Sequence, residues 1–367
     1  MEFAQGYLES LVMDPKFWKG KKVLLTGHTG FKGSWLSIWL QNLGVNLVGF
    51  SKSVPTQPSL FELANVKDGM TSIMGDISNF GHLEDTITEH QPEIVMHMAA
   101  QSLVLQSYKD PMETYATNVM GTVNLLEAIR KTGSVRVIIN VTSDKCYENK
   151  GLERAYREDD PMGGYDPYSS SKGCAELVTY AFRSSFFNLS TYTKHKIALA
   201  SVRAGNVIGG GDWAKDRLIP DIMRGILEHT IIKIRKPSAI RPWQYVLEPL
   251  SGYLLLAEKL WNDGSKYSEG WNFGPADDDI KPVSWVIEKV GECWGHRVNY
   301  ESDGENYLHE ANYLRLDCSK ARTKLGWFPK TNLELALQWT VEWYKQYEQK
   351  NDIRKFTEEQ IRKFSLL

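Results

Sequence analysis

Strong charge of either sign and long apolar runs are both missing from this sequence. The 367 residues carry a formal net charge of -2, which offers no electrostatic basis for binding nucleic acid or a membrane surface. No run approaches the ~20 apolar residues that a membrane span requires. Residues 1–18 contain acidic side chains and no long apolar segment, so we do not expect a secretory signal.

Cysteine is also infrequent. The four cysteines are Cys146, Cys174, Cys293 and Cys318, and none forms a CxxC pair or has the spacing of zinc ligands. This pattern argues against a disulfide framework and against a metal site. It is typical of reduced thiols in a cytoplasmic protein.

The first half of the chain shows a regular alternation of short apolar runs with longer amphipathic ones. The runs at 22–26, 46–50, 93–99 and 135–141 predict buried strands, and those at 34–43, 82–90, 113–131 and 169–187 predict helices. Continuous apolar strands that alternate with helices are typical of a parallel sheet covered on both faces. We therefore predict an α/β protein with a Rossmann-like, doubly wound parallel sheet.

The pattern becomes less regular after about residue 210, which predicts a smaller C-terminal α/β substrate domain. One more strand and a loop are expected just before it at 196–209. Within it, short strands are expected at 231–234 and 271–274, helices at 250–261 and 333–350, and a peripheral tail after them. We divide the chain into a dinucleotide-binding domain at 1–205 and a mainly substrate-binding domain at 206–367. Some later strand and helix segments are expected to return to the first domain.

Three glycines follow the first predicted strand at the start of a helix. Gly27, Gly30 and Gly33 stand in "TGHTGFKG", where they let the backbone turn tightly and approach a diphosphate at the helix N-terminus. The spacing GxxGxxG departs from the usual GxGxxG fingerprint. Its place between the first strand and the first helix nevertheless favours a dinucleotide site over a purely structural turn.

Other strand ends support the same site. Asp76 and Ile77 follow a short third strand, where an adenine edge could be held, and Ala99 and Ala100 end the next strand, where the backbone must pass close to a ligand. The second strand ends at Ser51 and Lys52 without the acid that usually binds the 2′-hydroxyl of NAD. The residues alone therefore do not exclude NADP.

A second group of residues indicates catalysis. Tyr168 and Lys172 are four residues apart at the start of a predicted helix and so share one face. An ammonium beside a phenol favours the phenolate, so we expect Lys172 to lower the pKa of Tyr168 and make it a general base. Ser143, at the end of an intervening strand, is well placed to hydrogen-bond the group that Tyr168 deprotonates.

With these motifs the sequence resembles the extended short-chain dehydrogenase/reductase family from about residue 20 to 345. The matching segments include "TGHTGFKG", "HMAAQS", "NVMGT", "RAGNVIGGGDW" and "LDCSKARTKLGWFP". The resemblance implies NAD as cofactor and a nucleotide-activated sugar as substrate. It also implies a homodimer through the helices near 113–131 and 168–187, with a dimer of dimers as a further possibility.

The family pattern assigns further residues. It adds Thr29, Phe31 and Asn118 to the cofactor site. On the substrate side it implies that Ser102 contacts the sugar, that Asn206, Arg217 and Arg241 bind the diphosphate, and that Leu218 and Lys233 flank the base.

The segment "VTSDKCY" places Asp144 and Lys145 directly after Ser143. In the family's 4,6-dehydratases an acidic pair follows the Ser or Thr, whereas here the second acid is replaced by lysine. With this departure and the segment "RPWQYVLEPLSGYL", the sequence most resembles the family members that act on CDP-glucose. The implied reaction is C4 oxidation, loss of water across C5–C6 and hydride return to C6, which serves deoxysugar synthesis for the lipopolysaccharide O-antigen. Lys145 is then either the C5 base or an electrostatic stabiliser.

Three alternatives remain open at this stage. The chain could be a 4,6-dehydratase for another nucleotide-sugar, a nucleotide-sugar 4-epimerase or a non-catalytic dinucleotide sensor. Epimerisation conserves mass, whereas dehydration loses one water. Sensors of this fold tend to lose the catalytic tyrosine and lysine, and here both are present.

Overall fold

The computed structural model describes residues 13–151, 154–302 and 314–367. Residues 1–12, on which the expectation about a secretory signal partly rests, lie outside the described residues. No helix in the described ranges combines the length and apolar character needed to cross a membrane.

The described strands form a seven-stranded parallel sheet and two small sheets. The strands are β1 (Lys22–Thr26), β2 (Asn46–Ser51), β3 (Thr71–Met74), β4 (Ile94–His97), β5 (Val137–Val141), β6 (Ala198–Ala204), β7 (Asn206–Ile208), β8 (Ile232–Ile234), β9 (Ile240–Tyr245), β10 (Gly270–Phe273), β11 (Ile280–Pro282) and β12 (Tyr300–Ser302). The large sheet has the order β3-β2-β1-β4-β5-β6-β10, and β11-β9-β7 and β12-β8 form the small ones.

Helices connect these strands. They are α1 (Pro15–Trp18), α2 (Phe31–Asn42), α3 (Leu60–Leu63), α4 (Phe80–His90), α5 (Val104–Lys109), α6 (Pro111–Tyr115), α7 (Gly121–Thr132), α8 (Pro167–Ser185), α9 (Tyr192–His195), α10 (Leu218–Leu227), α11 (Leu247–Asn262), α12 (Gly264–Tyr267), α13 (Val283–Trp294), α14 (Leu333–Glu348) and α15 (Ile353–Leu366). Short 3-10 turns occur at Val66–Gly69, Asp144–Cys146, Leu189–Thr191 and Asp277–Asp279, and π turns at Ala116–Met120 and Ala321–Leu325.

The central strands are mostly apolar because both faces of the sheet are buried. In β1, Val23 and Leu25 join the hydrophobic core on one face, whereas Leu24 joins the core on the other. Strand β5 is divided in the same way between Ile139 and Ile138. The prediction of a doubly wound parallel sheet is therefore confirmed.

The strand order fixes where a ligand can bind. The chain proceeds from β1 outward through β2 and β3, and then from β4 outward through β5 and β6 on the other side. The loops after β1 and β4 consequently diverge to opposite faces and leave a crevice at the carboxyl edge of the sheet. The Gly-rich turn and the loop after β5 both open toward this edge.

The helix expected at 113–131 is present, because the backbone stays helical from α6 through the π turn Ala116–Met120 into α7. The expected peripheral tail is wrong, because α15 buries Ile353, Ile361 and Phe364. Within the later part of the chain, β10 pairs with β6 in the large sheet, while β7, β9 and β11 form a separate one.

Candidate active site

A cavity of about 1260 Å³ lies at the carboxyl edge of the large sheet. Its wall contains all but one of the site residues that the sequence predicts. These are Gly27, Thr29, Gly30, Phe31, Gly33, Asp76, Ile77, Ala99, Ala100, Ser102, Ser143, Asp144, Lys145, Tyr168, Lys172, Asn206, Arg217, Leu218, Lys233 and Arg241.

The exception is Asn118, which the structure places behind the wall. Its side chain is buried, accepts a hydrogen bond from the backbone of Gln101 at 2.9 Å and donates to Ser171 Oγ at 2.8 Å. Gln101 and Ser102 do line the cavity. In this structure Asn118 therefore orients the segment after β4 from behind.

The turn after β1 brings the backbone unusually close to its surroundings. Gly27 has a φ of +77°, and a Cβ there would lie 2.7 Å from the backbone nitrogen of Ala99. A Cβ on Gly33 would overlap the carbonyl oxygen of Gly27. Gly30 is the N-cap of α2 and makes no side-chain capping bond, so the first N–H groups of the helix remain available to an anion. This geometry fits the diphosphate of a dinucleotide.

His28, whose role the sequence leaves open, makes structural hydrogen bonds in this fold. Its ring nitrogens hydrogen-bond Ser51 Oγ at 2.9 Å and Ser72 Oγ at 2.7 Å. Burial lowers the pKa of His28 to about 4, so the ring is neutral near pH 7. The side chain thereby links the Gly-rich turn to β2 and β3.

Lys52 stands at the end of β2, near the position where dinucleotide-binding folds usually carry an acid. Its Nζ lies 3.1 Å from Asp76 Oδ2 and 3.1 Å from Glu113 Oε1, and all three residues line the cavity. These two carboxylates already neutralise the ammonium. A ligand phosphate at this point would have to compete with both of them.

The loop after β5 presents three functional groups in a fixed turn. Ser143 caps the 3-10 turn by accepting a hydrogen bond from the backbone of Lys145 at 3.2 Å, and it donates to Asp144 Oδ1 at 3.0 Å. Ser143 and Asp144 are buried, and Lys145 is half-buried. A Cβ on Gly205 would lie only 3.1 Å from Asp144 Oδ2, so glycine there leaves room for the carboxylate.

Tyr168 enters the same cavity from the first turn of α8. Asp166 caps this helix by accepting hydrogen bonds from the backbone and the hydroxyl of Ser169, and Pro167 occupies the first helical position. This cap fixes the direction in which the helix starts. The tyrosine side chain is buried.

The expected low pKa of Tyr168 is wrong for this structure. Burial raises the pKa of Tyr168 to about 12, while its hydrogen bond with Ser143 and the charge of Arg217 oppose the rise. Lys172 instead donates to the carbonyl oxygen of Val141 at 3.3 Å. Burial lowers the pKa of Lys172 to about 8.

Arg217 connects the two sides of the cavity. One guanidinium nitrogen lies 3.0 Å from Asp212 Oδ2, and another donates to Ser102 Oγ at 2.8 Å. The sequence predicts Arg217 and Ser102 for different parts of the substrate, whereas here they contact each other. Both residues line the cavity that also contains Asp144.

The substrate side of the cavity is richer in cations than the predicted residues alone. Besides Lys233 and Arg241, the lining includes Lys215, Arg235 and Lys236. Two of these additional cations stand in the segment "IIKIRKP", where a concentration of positive charge next to a strand was a usable signal. Such a surface suits a diphosphate.

A buried ion pair supports the catalytic loop from below. Arg203 Nε lies 2.9 Å from Glu176 Oε1, and both side chains are 5% exposed. Thr142 and Ser201 also donate to Glu176, and Arg203 donates to the hydroxyl of Tyr147 at 2.6 Å. The network therefore ties α8 and β6 to both ends of the segment that carries Ser143.

Replacing Glu176 with Gln should destabilise the fold by about 3 kcal/mol, because it leaves the Arg203 charge buried without a counter-charge. Urea unfolding followed by circular dichroism measures the change. Glu127→Gln, which breaks an exposed pair with Arg130, should cost less than about 1 kcal/mol. If both variants lost the same free energy of unfolding, the buried pair would not contribute more to stability than the exposed one.

Comparisons with known proteins agree with this architecture. The model of a family described as GDP-mannose 4,6 dehydratase matches residues 24–340. A CDP-glucose 4,6-dehydratase of Salmonella typhimurium strain LT2 is 56% identical over 334 residues, which cover 91% of this chain and 93% of the relative.

Solved structures share the fold at lower identity. A UDP-glucose 4-epimerase of Thermotoga maritima with UDP-glucose has a TM-score of 0.76 at 22% identity and covers 89% of this chain and 99% of its own. A dTDP-glucose 4,6-dehydratase of Streptomyces venezuelae with NAD bound has a TM-score of 0.75 at 21% identity and covers 90% of this chain and 98% of its own.

Proposed function

The chain belongs to the GDP-mannose 4,6 dehydratase family, and from this premise we propose that it converts CDP-D-glucose to CDP-4-keto-6-deoxy-D-glucose and water. The observation that carries the proposal is the position of Asp144 and Lys145, which line the same cavity as Tyr168. Redox chemistry at C4 has no need of this extra acid and amine, whereas elimination of water needs both a proton donor and a proton acceptor. The relative with 56% identity supports the choice of CDP-glucose.

The cofactor that we propose is NAD, held by the Gly-rich turn, by Asp76 and Ile77, and by the strand end at Ala99 and Ala100. Bound there, NAD would supply the redox chemistry of the cycle, because it could take up the hydride lost from C4 and give it back at C6 after water has left. The pairing of Lys52 with two carboxylates supports NAD over NADP, because a 2′-phosphate there would meet two negative charges.

In the first stage Tyr168 accepts the proton of the sugar 4-hydroxyl, and Ser143 donates a hydrogen bond to the same oxygen. The resulting 4-ketone acidifies the C5–H bond. Lys145 removes the C5 proton or stabilises the enolate. Asp144 gives its proton to the leaving 6-hydroxyl, which departs as water. The net change is the loss of one water, so the enzyme is a hydro-lyase.

The substrate diphosphate is proposed to lie against Arg217, Arg241 and Asn206, with Ser102 near the sugar and Leu218 and Lys233 near the base. The cationic lining around Arg235 and Lys236 supports this orientation, because a diphosphate carries negative charge that such a surface stabilises.

A product assay tests the function directly. Purified protein is incubated with CDP-, dTDP-, GDP- and UDP-glucose, each with NAD or NADP, and the products are identified by mass spectrometry. We expect loss of one water and a new ketone with CDP-glucose and NAD. A product with the mass of the substrate would indicate an epimerase, and turnover only with another nucleotide would contradict the choice of CDP.

We also propose a cytoplasmic homodimer. All four cysteines are free thiols, which is usual in that compartment. The helices α6 and α8 and the π turn after α6 expose several large apolar side chains: Met112 at 83%, Met120 at 51%, Leu177 at 57% and Tyr180 at 62%. A second copy that covers these side chains would remove them from water, which favours association.

The double variant Leu177→Glu/Tyr180→Glu should be a monomer, because two charged side chains would otherwise have to be buried between the two copies. Light scattering coupled to size-exclusion chromatography measures the mass. Leu366→Glu, at an equally exposed position on α15, should leave the mass unchanged. A double variant that stays dimeric would place the interface elsewhere.

A further inference from the structure

Lys32 is a half-buried cation inside the cofactor turn to which the proposed reaction assigns no role. It is the second residue of α2, directly after Gly30 and Phe31, and it lines the cavity. Its Nζ donates to the hydroxyl of Tyr253 at 3.4 Å. Tyr253 lies on α11 and is fully buried, and burial raises the pKa of its phenol, so this partner is neutral.

Lys32 has cations around it and, among the described residues, no counter-ion in contact. In the part of the chain that the structure describes, no carboxylate lies within 4.0 Å of its Nζ. The charged groups that act on it are Lys172 of α8 and Arg217 before α10, which repel its charge, and Asp144 after β5, which attracts it. A cation in such surroundings is stabilised when an anion binds beside it.

On the basis of the proposed function, we propose that Lys32 binds the diphosphate of the dinucleotide and takes up a proton as it does so. The dinucleotide is favoured over the sugar nucleotide because Lys32 lies in the first turn of α2. The uncapped N–H groups of that turn attract the same anion. A lysine side chain and the helix N-terminus would then share one ligand.

The sign of the pH dependence follows from the free protein. Burial, followed by the charges of Lys172 and Arg217, lowers the pKa of Lys32 to about 7, and Asp144 opposes this. A diphosphate beside the amine raises its pKa, so the complex binds more protons than the free protein above pH 7. Affinity for the dinucleotide should therefore weaken as the pH rises through about 7, and below that pH Lys32 should contribute no pH dependence.

The test measures the Kd of NAD alone by isothermal titration calorimetry on the full chain at pH 7 and pH 8.5. Between these values the Kd of the wild type should rise roughly tenfold relative to that of Lys32→Arg, because arginine stays charged at both. The pKa of Lys172 is also lowered, to about 8, and this residue is present in both proteins, so the ratio reports the change at residue 32. Proton uptake, obtained from buffers with different ionisation enthalpies, should fall in the variant.

Two more variants keep the result interpretable. Lys32→Gln should bind NAD weakly at both pH values, and its Kd should lack the pH dependence that Lys32 causes. This variant keeps the test valid if arginine does not fit at position 32. Lys67→Arg, on an exposed turn outside the cavity, should match the wild type. CDP alone serves as the second ligand and should bind the wild type and Lys32→Arg equally at each pH.

The outcomes separate this inference from the proposed function. If the ratio of the wild-type Kd to the Lys32→Arg Kd for NAD did not change with pH, the role of Lys32 would be overturned and the cofactor proposal would stay intact. A pH-dependent ratio with CDP in place of NAD would assign Lys32 to the other diphosphate and overturn the inference as well. Failure of the wild type to bind NAD at either pH would overturn both.

Discussion

Asp144→Asn is expected to lower the rate of ketone product formation by about 10²- to 10⁴-fold, which is the usual contribution of a general acid. An amide has no proton to give to the leaving 6-hydroxyl, whereas Ser143 and Tyr168 retain their places in the cavity. C4 oxidation and removal of the C5 proton should therefore continue. CDP-glucose recovered after incubation in D₂O should carry one deuterium at C5 without having lost water.

Mass spectrometry and proton NMR of the recovered sugar measure this separation of steps. Asp68→Asn is a suitable control, because Asp68 is an exposed carboxylate outside the cavity wall. This control should eliminate water at the wild-type rate. If Asp144→Asn did so too, another group would have to be the acid.

The position of Asp144 is determined by its burial and by two neighbouring residues. The carboxyl is buried, receives a hydrogen bond from Ser143 at 3.0 Å and has space because residue 205 is glycine. The space for the carboxyl therefore depends on the residue between β6 and β7 as well as on its own loop.

Much of this arrangement could be predicted because it depends on residues close together in the sequence. Three such features can be recognised from neighbouring residues alone: the glycines of one turn, the YxxxK pair and the end of an apolar strand. The order of strands and helices then determines that all of them meet at the carboxyl edge of the sheet. The fold and the cavity wall, including Tyr168 and Ser143, follow from these local patterns.

Contacts between distant segments could not be predicted in this way. Arg217 and Ser102 are 115 residues apart, and nothing in either segment indicates that they hydrogen-bond each other. The ion pair of Lys52 with Glu113 likewise joins different loops. The same is true of the pKa of Tyr168, since a four-residue spacing indicates that Lys172 is near but says nothing of how deeply the phenol is buried.

Tyr168→Phe should abolish both the product and the deuterium at C5, with a loss of about 10³-fold or more, because no group then accepts the proton of the 4-hydroxyl. Without the 4-ketone the C5–H bond is not acidic, so this variant should differ from Asp144→Asn, in which exchange persists. The cap of α8 by Asp166 and Ser169 is untouched, and the phenyl ring fills the same space. NAD binding measured by calorimetry should therefore stay within a fewfold of the wild type.

The pH dependence provides a second test of the same tyrosine. Burial raises the pKa of Tyr168 to about 12, so in the free enzyme the phenolate fraction increases about tenfold with each pH unit below that value. The rate of the C4 step in the wild type should consequently rise with pH, and any residual rate in Tyr168→Phe should not. Deuterium incorporation by the variant at the wild-type rate would show that another residue takes the proton. The cycle would then have to start from a different base in the cavity.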